Sequence, residues 1–214
     1  MKGSAASTAS RRPRRGWYSR RTLEPLLVSI GVVALAEIGD KTQLLALILA
    51  ARFKRPVPII AGILCATLFN HALAGALGAW ITTVVSPTVL RWVLGLSFIG
   101  MAAWTLIPDE IEKDEGDVAK RFGVFGATLI TFFLVEIGDK TQIATVALAA
   151  HYGTPVLVVI GTTLGMLLAD VPAVIVGDKL SARIPMRLVH SVAAAIFLLL
   201  GVVTLFGLGS KPAL

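Results

Sequence analysis

Six stretches of this chain, roughly residues 23–50, 57–81, 88–107, 122–150, 156–177 and 186–208, are each long and apolar enough to cross a bilayer. A membrane-spanning helix needs about 20 mostly apolar residues, and in lipid only helices and closed barrels satisfy their own backbone amides. Composition agrees: 56% of the 214 residues are hydrophobic and 15% charged, against about 25% charged in an ordinary soluble domain. The fold class this dictates is all-α and polytopic, with six transmembrane helices.

Inside the first and fourth stretches the same heptapeptide appears, EIGDKTQ, starting at Glu37 and again at Glu136. The 99-residue offset continues past it. Ala50 matches Ala149, Pro56 matches Pro155 and Gly62 matches Gly161, while Phe53 meets Tyr152 and Gly78 meets Gly177. With the offset lengthened by two, Gly100 aligns with Gly201. Residues 23–107 and 122–208 are therefore two repeats of three spans each, joined by an acidic hinge, PDEIEKDEGDVAKR, at 108–121. A second copy entering after an odd number of crossings lies upside down relative to the first. Inverted repeats of this kind build secondary transporters, with the substrate site at mid-bilayer where the halves meet.

The net charge of +7 belongs to one segment. Residues 1–22 carry seven basic residues and no acid, and the remainder balances at 13 of each sign. A Ser/Ala/Arg/Pro-rich tail of this kind is expected to be disordered and to lie on anionic lipid. Nucleic acid is the less favoured partner for its RRPRR run. Ser19-Arg20-Arg21 and Ala34-Leu35-Ala36 outline a signal and cleavage site, but cutting there would destroy the first heptapeptide, so the tail reads as a dispensable extension. Residues 209–214 form a short C-terminal tail. Lys and Arg counts tie at nine on each side of the membrane with the tail and stand at two against nine without it. The second count places the 52–55 loop, the hinge and the 179–187 segment in the cytoplasm. Cys65 is the only cysteine, so no internal disulfide forms.

The heptapeptides place charge where it is most costly. Glu37 and Glu136 fall near the middle of their stretches, and a charge at the bilayer centre costs about 2.5–3.5 kcal/mol on insertion scales, so such groups mark function by default. On a continuous helix Glu37, Asp40 and Gln43 share one face, as do Glu136, Asp139 and Gln142. Lys41 and Lys140, four residues after each Glu, are placed to pair with it. Four carboxylates and two lysines sum to −2, which one divalent cation or two protons cancel. That is the charge requirement for exchanging M2+ against 2 H+. Carboxylates, amides and the hydroxyls of Thr42 and Thr141 are hard oxygen donors suited to Mn2+, Ca2+ or Mg2+. The candidate cation ligands are thus Glu37, Asp40, Thr42, Gln43, Glu136, Asp139, Thr141 and Gln142, with Lys41 and Lys140 balancing charge. Gly39 and Gly138 weaken their turns and allow them to open, as in the broken helices of transporters. The rival reading makes each motif an intrahelical ion pair with polar glue.

His71 and Asp170, also 99 apart, lie mid-span and read either as a second shell or proton path, or as helix–helix hydrogen bonds. Asn70 reads as glue. Gly177-Asp178-Lys179 reads as an interfacial cap.

Twin Glu-x-Gly-Asp-(Lys/Arg)-(Thr/Ser) motifs in two three-span units resemble the manganese/calcium cation–proton exchangers of bacteria, chloroplasts and the Golgi, within the lysine-exporter superfamily. The resemblance covers residues 23–208. It implies that Glu37, Asp40, Lys41, Thr42, Glu136, Asp139, Lys140 and Thr141 correspond to the family's functional motif. It further implies Mn2+ or Ca2+ moved against protons as substrate, manganese export in a bacterial inner membrane, and no cofactor or enzymatic activity. The basic tail departs from the family pattern. Two other readings stand beside it: an intramembrane aspartyl protease, whose Gly-x-Gly-Asp is absent because Glu37 and Glu136 occupy the first position, and a divalent cation channel.

Overall fold

Proline and glycine set several helix boundaries in the computed structural model, which describes residues 15–107, 118–176 and 186–207. Eight helices form among them: α1 (Arg15–Glu37), α2 (Lys41–Phe53), α3 (Pro56–Val84), α4 (Pro87–Trp104), α5 (Val118–Glu136), α6 (Lys140–Tyr152), α7 (Pro155–Val176) and α8 (Met186–Leu205). No strand occurs among the described residues. Pro56, Pro87 and Pro155 open α3, α4 and α7, where a missing N–H is harmless. The C-caps of α2 and α6 are 99 residues apart, at Lys54 (φ 53°) and Gly153 (φ 64°), and donate to the carbonyls of Ala50 and Ala149. α1 begins at Arg15, inside the segment read as tail. Residues 1–14, the hinge centre at 108–117, the Gly177-Asp178-Lys179 triplet and the C-terminal tail lie outside the described residues.

Among the described residues four helices are long and apolar enough to cross a membrane: Pro56–Val84, Pro87–Trp104, Pro155–Val176 and Arg187–Leu205. The bent pair Phe122–Glu136 and Lys140–Tyr152, whose halves meet at 70°, is long and apolar enough to make a fifth when counted as one span. The stretches 23–50 and 122–150 are therefore not continuous helices. Both break inside the heptapeptide, at residues 38–40 and 137–139. Polarity is inside out. Glu37, Asp40, His71, Glu136, Asp139, Lys140 and Asp170 are buried, while Leu68, Phe69, Leu73, Leu164, Leu168 and Leu199 are exposed. Apolar side chains outward and ionisable ones inward is the arrangement of a polytopic membrane protein.

The two repeats interlock through glycines that let backbones approach closely. A Cβ on Gly62 of α3 would lie 2.7 Å from Thr128 of α5, and one on Gly161 of α7 would lie 2.7 Å from Ser29 of α1. Both glycines and both partners are 99 apart, so each repeat lays its second long helix along the first helix of the other. Gly161 abuts Leu26 and Ser29, and one turn later Gly165 abuts Ile30, Val33 and Ala34, so α7 runs in the direction of α1. α3 likewise runs with α5: Gly62 abuts Phe125 and Thr128, and the Asn70 amide donates to the Phe133 carbonyl at 3.1 Å. Asn70 is thus the interhelical glue expected of it. α4 and α8 run oppositely, with Gly95 against Leu205 and Gly201 against Ile99. Two apolar cores result, one containing Ala36, Phe98, Leu148 and Phe197, the other Leu45, Ile63, Phe132 and Ala173. The chain passes from the first core to the second between Ala36 and Leu45, across the first heptapeptide.

Candidate metal centre

Each heptapeptide is a helix end, a turn and a helix start. α1 ends on Glu37 and α5 on Glu136, and the next two residues leave the helix at Gly39 (φ 84°) and Gly138 (φ 77°). Left-handed φ is open to glycine and costs other residues roughly 1–2 kcal/mol. Asp40 and Asp139 then sit as extended N-caps of α2 and α6. This overturns the single-face argument: Glu37 and Asp40 do not share a helix, and neither do Glu136 and Asp139. The turn instead folds each Asp back, with the Asp40 N–H donating to the Glu37 carbonyl at 3.0 Å and the Asp139 N–H to the Glu136 carbonyl at 3.2 Å.

The glutamines and threonines hold the breaks in shape. The Gly39 N–H donates to Gln43 Oε1 at 2.9 Å, and the Gly138 N–H to Gln142 Oε1 at 2.8 Å. Gln43 Nε2 also donates to the Ala169 carbonyl of α7 at 3.0 Å. Thr42 donates to Glu37 Oε2 at 2.5 Å and Thr141 to Glu136 Oε2 at 3.2 Å. Each hydroxyl fixes one glutamate oxygen, and the fully buried Oε1 of each glutamate has no hydrogen-bond partner among the described residues.

The lysines do not pair with the glutamates four residues earlier. Lys41 Nζ lies 2.7 Å from Asp139 Oδ1, and Lys140 Nζ lies 2.8 Å from Asp40 Oδ1. Each lysine crosses to the other repeat because the broken turn directs its own glutamate elsewhere. The crossed pairs differ in setting: the Lys41 side chain keeps 22% of its surface exposed, and that of Lys140 only 2%.

Glu37, Glu136 and Asp139 each offer a ligand atom within 4.8 Å of the other two. That spacing suits three oxygens around one ion at the 2.0–2.6 Å metal–oxygen distances of hard cations. Asp170 and His71 are fully buried, and neither the Asp170 oxygens nor the His71 nitrogens have a hydrogen-bond partner among the described residues. One contact was not legible in the repeat: His190 of α8 meets the Ile38 carbonyl inside the first break at 2.9 Å. Its counterpart in repeat one is Val89 at the lengthened offset, so internal symmetry gives no signal for it.

Comparison with known proteins bears on the family of the chain. A family model described as "Divalent cation/proton antiporter GDT1" matches residues 25–113 and 124–211, one segment per repeat. The chain is 50% identical over 189 residues to a Vibrio cholerae protein named "Putative manganese exporter", covering 88% of this chain and 94% of that protein. It is 29% identical over 201 residues to GDT1-like protein 3 of Oryza sativa subsp. indica, covering 82% and 71%. It is 27% identical over 220 residues to GDT1-like protein 5 of Arabidopsis thaliana, covering 86% and 96%. No solved structure matches the chain.

Proposed function

Because the chain belongs to the GDT1 family of divalent cation/proton antiporters, we propose that it exports Mn2+ in exchange for two protons at a site shared by the two heptapeptides. The family consists of transporters, so the protein is not an enzyme and the protease reading falls. Mn2+ comes first because the half-identical Vibrio cholerae relative carries manganese in its name. Ca2+ takes the same oxygen ligands and is the alternative cargo.

One observation carries this reading. Glu37 from one repeat and Glu136 and Asp139 from the other bring ligand atoms within 4.8 Å of one another in a buried setting. Asp40 and Asp139 each face a lysine across the repeats, and the remaining glutamates leave the site two charges short of neutral. A divalent ion or two protons supply those charges, and only a neutral site changes its exposure cheaply in a bilayer. Thr42, Thr141, Gln43 and Gln142 act here as positioning residues that fix the glutamates and the broken turns. The bilayer is the medium, and a bacterial inner membrane is the proposed location.

The architecture proposed for this exchange is six spans in two inverted repeats, with α1 and α2 forming one broken span as α5 and α6 do. Its support is directional. Inverted copies put α1 parallel to α7, α3 parallel to α5 and α4 antiparallel to α8, and the glycine contacts run in those senses.

The test is exchange in liposomes containing the purified protein, with Mn2+, Ca2+ and Mg2+ compared and internal pH read by a dye. Mn2+ efflux is expected to drive proton uptake, and E37Q or D139N to abolish both while the protein still inserts. Full exchange in either variant would overturn the site.

A further inference from the structure

The two heptapeptides are identical in sequence, yet their breaks are unequally covered. At the second break Ile137 keeps 53% of its surface exposed and Gly138 is exposed, whereas Ile38 and Gly39 of the first are half-buried. The crossed ion pairs divide in the same way. Lys41, bonded to Asp139 at the second break, stays partly exposed, and Lys140, bonded to Asp40 at the first, is buried. Non-helical backbone at membrane depth is tolerated only where protein covers it or where it lines a water-filled cavity, and an ammonium facing hydrocarbon is costly. The first break has the cover, so the second is the one that meets water.

The start of α8 supplies that cover. The His190 ring nitrogen meets the Ile38 carbonyl at 2.9 Å, and against a carbonyl oxygen this nitrogen is the donor. Ala194 and Phe197, one and two turns further along α8, are buried in the core that also holds Val32 and Ala36 of α1. The beginning of α8 is thereby fixed against the end of α1. Because α8 runs opposite to α4, with Gly95 against Leu205 and Gly201 against Ile99, it begins at the level where α4 ends and the hinge follows. The counterpart position on α4 is Val89, which is exposed and has no polar side-chain atom to offer the second break.

We propose that His190 is a gate residue, whose bond to Ile38 holds the first break shut on the hinge's side of the membrane while the second break stands open to the other side. This rests on the exchanger reading given above and deepens it. The cation site is reached through the second break, and the His190–Ile38 bond parts before it is reached from the hinge's side. Identical heptapeptides thus carry unequal gates, since the hinge-side closure has a hydrogen bond that Val89 cannot make for the opposite one.

The test is thiol accessibility in the full chain, with Cys65 replaced by alanine and I38C or I137C introduced singly. Membrane vesicles of both orientations are treated with a charged, membrane-impermeant methanethiosulfonate. I137C is expected to react faster than I38C, and from the face opposite to that at which D114C in the hinge reacts. H190A is expected to raise I38C labelling from the hinge's face by roughly twofold to tenfold, the range for losing one such bond, and to leave I137C labelling unchanged. H190Q, whose amide can donate to the same carbonyl, is expected to return I38C labelling towards the parent rate. I38C reacting as fast as I137C with His190 present would overturn the proposal, and so would an I38C rate indifferent to H190A. A rise at both cysteines in H190A, or H190Q behaving as H190A does, would also overturn it, since either marks a packing role for the ring. Mn2+ exchange by E37Q in liposomes reports separately on the exchanger reading, because the labelling pattern does not depend on transport.

Discussion

Lys41 bonds to Asp139 rather than to Glu37, although Glu37 is only four residues before it and Asp139 is nearly a hundred away. The two ammonium–carboxylate contacts, Lys41–Asp139 at 2.7 Å and Lys140–Asp40 at 2.8 Å, tie the repeats together at the point where both first helices break. Their unequal exposure makes the pairs unequal in energy. Removing Lys140 takes from the buried Asp40 the ammonium that lies 2.8 Å away, and breaking a buried pair costs about 3–5 kcal/mol. K140M is therefore expected to lower the Tm of the detergent-purified protein markedly, and the D40N/K140M double variant to recover most of the loss. K41M is expected to cost less, because water reaches the Lys41 side chain. Equal losses from K41M and K140M would contradict the asymmetry.

Electroneutral exchange has a thermodynamic signature. Two protons per ion, at about 1.36 kcal/mol per pH unit each, support a cation gradient of about 100-fold for each unit of ΔpH. Membrane potential should have no effect, whereas one uncompensated charge would feel about 2.3 kcal/mol per 100 mV. Liposomes clamped with valinomycin and defined K+ gradients measure both. A final Mn2+ ratio that follows the imposed voltage would rule out the two-to-one count.

Gly138 separates backbone strain from crowding. Its φ is 77°, and a Cβ placed there meets nothing within 4 Å. G138A is thus expected to destabilise by roughly 1–2 kcal/mol through conformation alone and to slow exchange by tightening the break. Comparing thermal unfolding with transport rate at saturating Mn2+ checks this. Wild-type values in both would show that the turn does not need glycine.

His190 holds the first break from outside the repeat. Its ring nitrogen meets the Ile38 carbonyl at 2.9 Å, and a hydrogen bond of this kind contributes about 0.5–1.5 kcal/mol net. H190F is expected to slow exchange by less than about tenfold, a loss well short of that from E37Q. Complete inactivation by H190F would promote His190 to the cation site, and no change would make the contact incidental.

Much of this protein was legible before any coordinates. Hydropathy alone required a helical membrane protein, since backbone amides in lipid must bond within helices. The recurrence of EIGDKTQ pointed to the candidate site, because Glu37, Asp40 and Lys41 are costly to place mid-span once and are placed there twice. Gly39 and Gly138 signalled that the turns open, since glycine is the residue that accepts their positive φ. These are local properties: burial cost, helix period and backbone freedom act on a few neighbouring residues. The tertiary structure decided the partners. A helical period applied to Glu37 and Lys41 pairs them, and the opened turn undoes that geometry and sends each lysine to the other repeat. The bond of His190 to Ile38, the laying of α7 along α1 and the bond of Gln43 to the Ala169 carbonyl likewise join residues more than a hundred positions apart. Such contacts depend on how whole helices cross, which is fixed by the close approach of Gly161 and Gly165 to α1 and by the matching approach of Gly62 to α5.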